Sequence, residues 1–78
     1  MLRKTAEMNM MKLTLGEKFR LLRLEAKKSE RDVAKGLKLS LTIYSKLEDD
    51  FLYPTDSIIK KAAELYGLTY DAFLEVGE

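Results

Sequence analysis

The stretch SERDVAKGLKLSLTIYSKLE, residues 29–48, predicts two short helices joined by a tight turn. Ser29 precedes the first helix and is followed three residues later by Asp32, a pairing typical of a helix N-terminus. Ser40 occupies the same position before the second helix, which we expect over about 41–49. The order of these signals indicates a helix, a short turn and a second helix.

Each of these two helices has an apolar side. The residues expected to face inward are Val33, Ala34, Leu37, Tyr44 and Leu47. Ala34 is small and lies in the middle of the first helix, so the second helix can cross it at a steep angle. This is the geometry of a helix-turn-helix, in which the N-terminus of the second helix can enter the major groove of DNA.

One further helix is predicted before this unit. Thr14 and Glu17 have the spacing of a capping box, and the helix that follows is expected over about 15–28. Its apolar residues recur at helical intervals and should face inward: Leu15, Phe19, Leu22 and Ala26.

Two more helices are predicted after residue 50. Pro54 ends a loop, and Thr55 or Asp56 starts the fourth helix. The inward residues of that helix should be Ile59, Ala62, Ala63 and Tyr66. Gly67 suits the left-handed position after its end, and Thr69 opens a fifth helix.

The fifth helix is expected to continue through about Glu75, and no segment alternates as a strand would. The sequence therefore predicts an all-α fold of five helices. We expect a single helix-turn-helix domain at residues 13–78, preceded by a flexible N-terminal extension at residues 1–12.

The composition excludes several classes of function. The 78 residues include no cysteine and no histidine, which removes thiolate metal sites and the commonest general base. There is no glycine-rich phosphate loop and no metal-ligand spacing, so we expect no enzyme activity, no metal and no cofactor. No apolar run is long enough to span a bilayer and none resembles a signal peptide, so a cytoplasmic protein without membrane contact is expected.

Charge is distributed unevenly along the chain. Residues 1–46 contain 12 Lys and Arg against 5 Asp and Glu, whereas residues 47–78 contain 2 against 8. The two parts carry net charges of +7 and −6, which agree with +1 for the whole chain. This asymmetry favours one face that attracts an anion and another that does not. Ordinary patchiness of a helical surface is the alternative.

Residues 15–74 resemble the helix-turn-helix domains of the phage Cro and lambda-repressor class, also called the xenobiotic-response-element class. The motifs that carry the resemblance are LGEKFRLLR, Ala34, Leu39–Ser40, Leu47–Glu48, Pro54 and ELYGLTYDAFL. The resemblance implies a five-helix lambda-repressor-like bundle. It also implies a sequence-specific regulator of transcription that binds double-stranded DNA.

The resemblance assigns roles to individual residues of the helix-turn-helix. The base-reading positions are Leu41, Thr42, Ser45 and Lys46. The positions that contact the DNA backbone are Glu30, Ser40 and Ile43, and we add Lys38, which lies before the second helix. Arg23 is implied to pair with Glu48, with a loose surface pair as the alternative. The basic first half adds Lys12, Lys18, Arg31 and Lys35 as further candidates for the backbone.

Four features depart from the family pattern. Glu30 replaces a glutamine, Lys38 replaces the turn glycine, Leu41 replaces a polar base reader, and Asp49–Asp50 replace an Asn-Gly turn. Lys38 must therefore adopt a left-handed conformation, or the turn is remodelled. Leu41 can touch a thymine methyl group but supplies no hydrogen bond.

Two functions remain open on these residues. The first is a repressor or antitoxin-like regulator that acts as a homodimer, because paired half-sites supply the sequence that one short helix cannot read. The second is a scaffold for protein partners without DNA binding, since the helix-turn-helix is also similar to the cytoplasmic domain of the cell-shape protein RodZ. The candidate surface of the homodimer contains Tyr70, Leu74 and Val76, and the candidate contacts of the scaffold are Leu21, Leu24, Leu41 and Phe51.

Overall fold

A computed structural model describes residues 12–78. Those residues form five helices and no strand: α1 Leu15–Glu25, α2 Glu30–Gly36, α3 Leu41–Glu48, α4 Asp56–Leu65 and α5 Tyr70–Leu74. The predicted all-α fold with five helices is confirmed. The flexible extension expected at residues 1–12 lies almost wholly outside the described residues.

All five helices begin in the same way. In each, the hydroxyl of the capping residue accepts a hydrogen bond from the backbone amide three residues later, which satisfies one of the free amides of the first turn. The capping residues are Thr14, Ser29, Ser40, Thr55 and Thr69. Thr14 and Glu17 complete the predicted capping box. The helix starts are therefore where the sequence placed them.

The helix ends differ more from the prediction. α1 ends at Glu25 and not near residue 28, because Lys27 adopts φ +57° and the Lys28 amide donates back to the Arg23 carbonyl over 3.1 Å. α3 ends one residue earlier than expected, and Asp50 adopts φ +63° in the same type of turn. α5 ends at Leu74, one residue before the expected Glu75. Left-handed residues other than glycine follow three of the helices, namely Lys27 after α1, Lys38 after α2 and Asp50 after α3, and none carries the usual sequence signal.

The core contains nine of the thirteen residues that the sequence placed inward, while Leu15, Leu22 and Tyr66 are half-buried against it. It consists of Phe19, Val33, Ala34, Leu37, Tyr44, Leu47, Ile59, Ala62, Ala63 and Phe73, each at most 3% exposed. The ring of Phe19 lies between those of Tyr44 and Phe73, edge to face with both. Ala26 is wrong as an inward residue, since it caps the C-terminus of α1 and is exposed.

Lys18 is not an outward cation. It is 5% exposed, and its ammonium donates to the Leu74 carbonyl at the end of α5 and to Glu78 Oε2 over 3.0 Å. Burial and this pairing remove Lys18 from the candidates for a DNA backbone contact. Within residues 12–78, no helix is long and apolar enough to cross a membrane.

Candidate nucleic-acid interface

The outward side of α3 carries the four residues expected to read bases. Leu41 is 39% exposed, Thr42 and Lys46 are exposed, and Ser45 is half-buried. We call Leu41, Thr42, Ser45 and Lys46 the outer strip. Tyr44, Leu47 and Glu48 occupy the opposite side of the helix and are buried. Because that side is anchored in the core, the outer strip is presented to solvent in a fixed orientation.

The turn before α3 is built around Lys38. Lys38 adopts φ +60°, the left-handed conformation that the missing glycine would otherwise supply. The next amide, that of Leu39, donates to the Ala34 carbonyl over 2.8 Å, which ties the end of α2 to the start of α3. The turn therefore keeps the usual shape, and the Lys38 side chain remains exposed beside α3.

Ser40 and Ile43 are engaged with each other. The Ile43 amide donates to Ser40 Oγ over 3.1 Å, so this amide is not free to bind a phosphate. The expected backbone contact through Ile43 therefore needs correction: only its side chain, which is 37% exposed, is presented outward. Leu41 and Thr42 begin the helix, and the amides of a first turn have no partner within the helix. Those two amides are the better anion donors.

A buried ion pair fixes α3 against α1. Arg23 Nε lies 2.6 Å from Glu48 Oε2, and Arg23 Nη2 lies 3.1 Å from Glu48 Oε1. The side chains are 12% and 1% exposed, respectively. The Tyr44 hydroxyl donates to the same carboxylate. This arrangement is a two-pronged pair with a third donor, much stronger than a loose surface contact.

The contacts within this cluster shift the pKa values of Glu48 and Tyr44. Burial alone would raise the pKa of the Glu48 carboxyl, but the hydrogen bonds from Arg23 and Tyr44 outweigh it and lower the pKa below the usual value. Burial and the bond to Glu48 raise the pKa of the Tyr44 hydroxyl. Glu48 is therefore held as a carboxylate at neutral pH, facing α1 and away from the outer strip.

The two aspartates that follow are also held by α1. Asp49 Oδ1 lies 2.9 Å from Arg20 Nη2, and Arg20 Nε lies 3.3 Å from Glu48 Oε1. Asp50 accepts from the Gly16 amide over 3.0 Å and from Thr14 Oγ1 over 2.7 Å, at the positive end of α1. The acidic run after α3 is thus partly neutralised by helix α1.

Gly16 makes this close contact between α1 and α3 possible. A Cβ atom on Gly16 would lie 2.5 Å from the Glu48 carbonyl oxygen and 2.6 Å from that of Leu47. These distances are far below a normal contact, and the obstructing atoms belong to the backbone. The Gly16 of the motif LGEKFRLLR is therefore required sterically and not for a turn.

Glu30 lies at the start of α2 and is partly compensated. Its Oε2 atom is 4.0 Å from Arg23 Nη2, and its side chain is 40% exposed. Glu30 is thus a third carboxylate drawn toward the cations of α1. This reduces the repulsion that an unpaired carboxylate would exert on a nearby phosphate.

Most of the cations around the helix-turn-helix are exposed. Among residues 12–78, no carboxylate is within salt-bridge distance of Lys27, Lys28, Arg31, Lys35, Lys38 or Lys46. Lys12 is 79% exposed and lies 3.8 Å from Glu78 Oε1. Glu30, Glu48 and Asp49 lie within salt-bridge distance of Arg20 or Arg23, while the exposed cations named above stay available to an external anion.

Most of the expected interface residues lie on α1 and at the C-terminal end of the chain. On α1, Leu24 is 57% exposed, and it lines with Leu21 a shallow groove of about 300 Å³. On α5, Tyr70 donates to Asp56 over 2.9 Å, while Leu74 packs against the core. Val76 follows α5 and is half-buried. The helix α5 therefore offers little free apolar surface.

The largest exposed apolar side chains lie in the loop between α3 and α4. Phe51 is 79% exposed and Tyr53 is 84% exposed. Sequence reasoning included Phe51 but missed Tyr53, which precedes the buried Pro54. The exposure of Tyr53 could not be inferred from the sequence, because the loop residues around Leu52 and Pro54 have no helical or strand periodicity.

One buried polar atom has no partner within the described residues. It is the hydroxyl of Tyr66, and burial raises its pKa to about 12. The charge of Glu48 raises this pKa further, and that of Arg23 opposes the rise. Residues 12–78 contain no group of three acidic or other metal-binding side chains placed to hold an ion.

A comparison with models of known families agrees with this geometry. A model described as a helix-turn-helix domain matches residues 16–76, which include all five helices except the first residue of α1. No curated protein matches this chain. Because the match extends over most of the sequence, the chain belongs to the helix-turn-helix domain family.

Proposed function

We propose that this chain is a sequence-specific DNA-binding regulator of transcription, of the Cro and lambda-repressor class, that reads the major groove with α3. The observation that carries the proposal is the outer strip. Leu41, Thr42 and Lys46 are exposed and Ser45 is half-buried, on a helix whose other side is anchored in the core. An α-helix presented in this way fits the width of the major groove.

The surroundings of the strip suit the phosphates on either side of a groove. Ser40 caps α3, and the first amides of that helix point outward with the positive end of its dipole. Lys38 and Lys46 lie before and within α3 and are exposed. We assign backbone contacts to Lys38, to Ser40 and to the amides of Leu41 and Thr42, whereas the Ile43 amide is already bonded to Ser40. Glu30 contributes no contact of its own in this account but is held toward Arg23.

The acidic residues after α3 do not argue against DNA. Glu48, Asp49 and Asp50 each contact a cation or a helix N-terminus of α1. Their role in this account is to fix the angle of α3. A phosphate approaching the outer strip therefore meets the exposed cations first.

The regulator acts by occupying an operator, as a repressor or an antitoxin-like protein does, and resides in the cytoplasm. It binds as a homodimer, because two half-sites about 34 Å apart double the sequence that is read. The domain that does this is residues 13–78. We assign it no catalytic role.

The experiment that tests the proposal is selection from a pool of randomised DNA duplexes, followed by fluorescence anisotropy of the enriched sequence. We expect one enriched sequence with two related half-sites. Its affinity should fall steeply as the logarithm of the salt concentration rises, since each neutralised phosphate releases counterions. Enrichment of no sequence, with no binding even at low salt, would refute a DNA-binding function.

A scaffold for protein partners is the second candidate, and one observation favours it. Phe51 and Tyr53 are 79% and 84% exposed, on a loop that is fixed by the buried Pro54 and by the bond from the Phe51 amide to the Lys46 carbonyl. Ordered aromatic side chains in water are typical of interface anchors. Replacing both with alanine should leave DNA affinity unchanged if the first proposal holds. The scaffold function would be supported if the chain bound no DNA duplex and if replacing Phe51 and Tyr53 with alanine abolished binding of a protein partner.

A further inference from the structure

The outer strip is poor in groups that read bases through hydrogen bonds. Its only charged donor is Lys46, and its other polar groups are the hydroxyls of Thr42 and Ser45. The strip has no guanidinium and no carboxamide, the groups that make two-pronged contacts with guanine and adenine. Asp49 follows the strip but is held by Arg20. Hydrogen bonds alone therefore carry little sequence information here.

The first turn of α3 is instead unusually apolar for a surface. Leu41 is 39% exposed and Ile43 is 37% exposed, and Thr42 lies between them with a methyl group of its own. Each residue of a helix is turned by about 100° from the next, so Leu41 and Ile43 lie on the two opposite flanks of the outward side, with Thr42 midway between them. The first turn is also the part of such a helix that reaches base edges.

Among the four bases, only thymine presents a methyl group in the major groove. We infer that each half-site contains thymines opposite the first turn of α3, read through their 5-methyl groups by Leu41 and Ile43, with a guanine opposite Lys46. This inference rests on the proposed function and names the class of sequence that the outer strip recognises. The side chains of Leu41 and Ile43 lose contact with water when they pack against a methyl group. This burial favours thymine over bases that have no methyl group in the major groove.

Replacing thymine by deoxyuridine tests the inference directly, because it removes the methyl group and leaves base pairing unchanged. In the sequence obtained by selection, the thymines of the half-site would be replaced one at a time. At the contacted positions we expect affinity to fall about fourfold per methyl group, which corresponds to about 0.8 kcal/mol. Thymines outside the half-sites serve as internal controls and should show no change.

Two variants assign the effect to side chains. Leu41→Ala and Ile43→Ala should each bind the thymine and deoxyuridine duplexes equally at the position that the lost side chain contacts. Lys46→Ala is the matched control: it should bind both duplexes more weakly and keep the fourfold difference between them. Thermal melts followed by circular dichroism confirm that each variant is folded, as expected for changes at exposed positions.

The outcomes separate this inference from the proposed function. A selected sequence that binds tightly but is indifferent to deoxyuridine at every half-site position overturns the methyl readout and leaves DNA binding intact. A methyl dependence that survives both Leu41→Ala and Ile43→Ala overturns the assignment to these side chains. Failure to select any duplex refutes the proposed function, and the inference with it.

Discussion

Removing the charge of Glu48 is the perturbation with the largest expected effect on this fold. Glu48→Gln keeps the size of the side chain and therefore creates no cavity. It leaves Arg23, whose side chain is 12% exposed, without the carboxylate that accepts two of its donors at 2.6 and 3.1 Å. Breaking a buried pair by changing one partner costs about 3–5 kcal/mol.

That cost is large for a chain of this size. A chain of 78 residues is expected to have a free energy of unfolding of about 4–12 kcal/mol. Because Arg23 and Arg20 have access to some solvent, we expect the lower limit, a loss of about 3 kcal/mol. The midpoint of thermal unfolding should fall by about 12–24 °C.

Urea unfolding followed by circular dichroism measures the loss. The control is Glu25→Gln, which removes a carboxylate from the exposed end of α1 and should change the free energy of unfolding by less than about 0.5 kcal/mol. In the double variant Arg23→Met, Glu48→Met, we expect a smaller loss than the sum of the two single changes. A loss below about 1 kcal/mol for Glu48→Gln would show that the pair behaves as a surface contact and would refute this reasoning.

Four further predictions use the same unfolding measurements. Gly16→Ala should lower the free energy of unfolding by about 1–3 kcal/mol because its Cβ meets two carbonyls, whereas Gly36→Ala, whose nearest contact is a leucine methyl at 3.4 Å, should be neutral or stabilising. A destabilising Gly36→Ala with a neutral Gly16→Ala would contradict this. Lys38→Gly should raise stability by about 0.5–1 kcal/mol because φ is +60° there, and equal or lower stability would argue against a left-handed turn. Tyr66→Phe should be neutral or stabilise by about 1 kcal/mol because its hydroxyl has no partner, and a clear loss would reveal one. The lowered pKa of Glu48 adds stability above its unfolded-state value of 4.5 that disappears as pH falls through the folded-state pKa. The wild type should therefore lose more stability than Glu48→Gln between about pH 5 and pH 3, and parallel losses would exclude this linkage.

Helix starts were predictable from the sequence because they depend on local chemistry. Each cap is a serine or threonine whose hydroxyl bonds within three residues, so no tertiary information is needed. The apolar periodicity also identified the core. Helix ends were less predictable, because Lys27 and Asp50 adopt left-handed conformations that favour glycine or asparagine. Ala26 was misplaced for this reason, since the helix ends before it.

The candidate site was predictable in part. The outward direction of Thr42 and Lys46 follows from the helical period once α3 is located. Contacts between residues distant in sequence did not follow from any local pattern. These include the hydrogen bond from Gly16 to Asp50 and the burial of Lys18 against Leu74. The position of Lys18 in the helical period of α1 predicts a surface residue. It is buried because the C-terminal residues, including Glu78, pack over it.

The proposed function requires that the outer strip of α3 bind in the major groove of a DNA duplex. The most direct measurement is the affinity of the selected duplex for Lys46→Ala, compared with Lys60→Ala, which removes an exposed lysine from α4. The account predicts a loss of about 1–3 kcal/mol for Lys46→Ala and a much smaller loss for Lys60→Ala. Equal affinities for the wild type and Lys46→Ala, or a larger loss for Lys60→Ala, would contradict it.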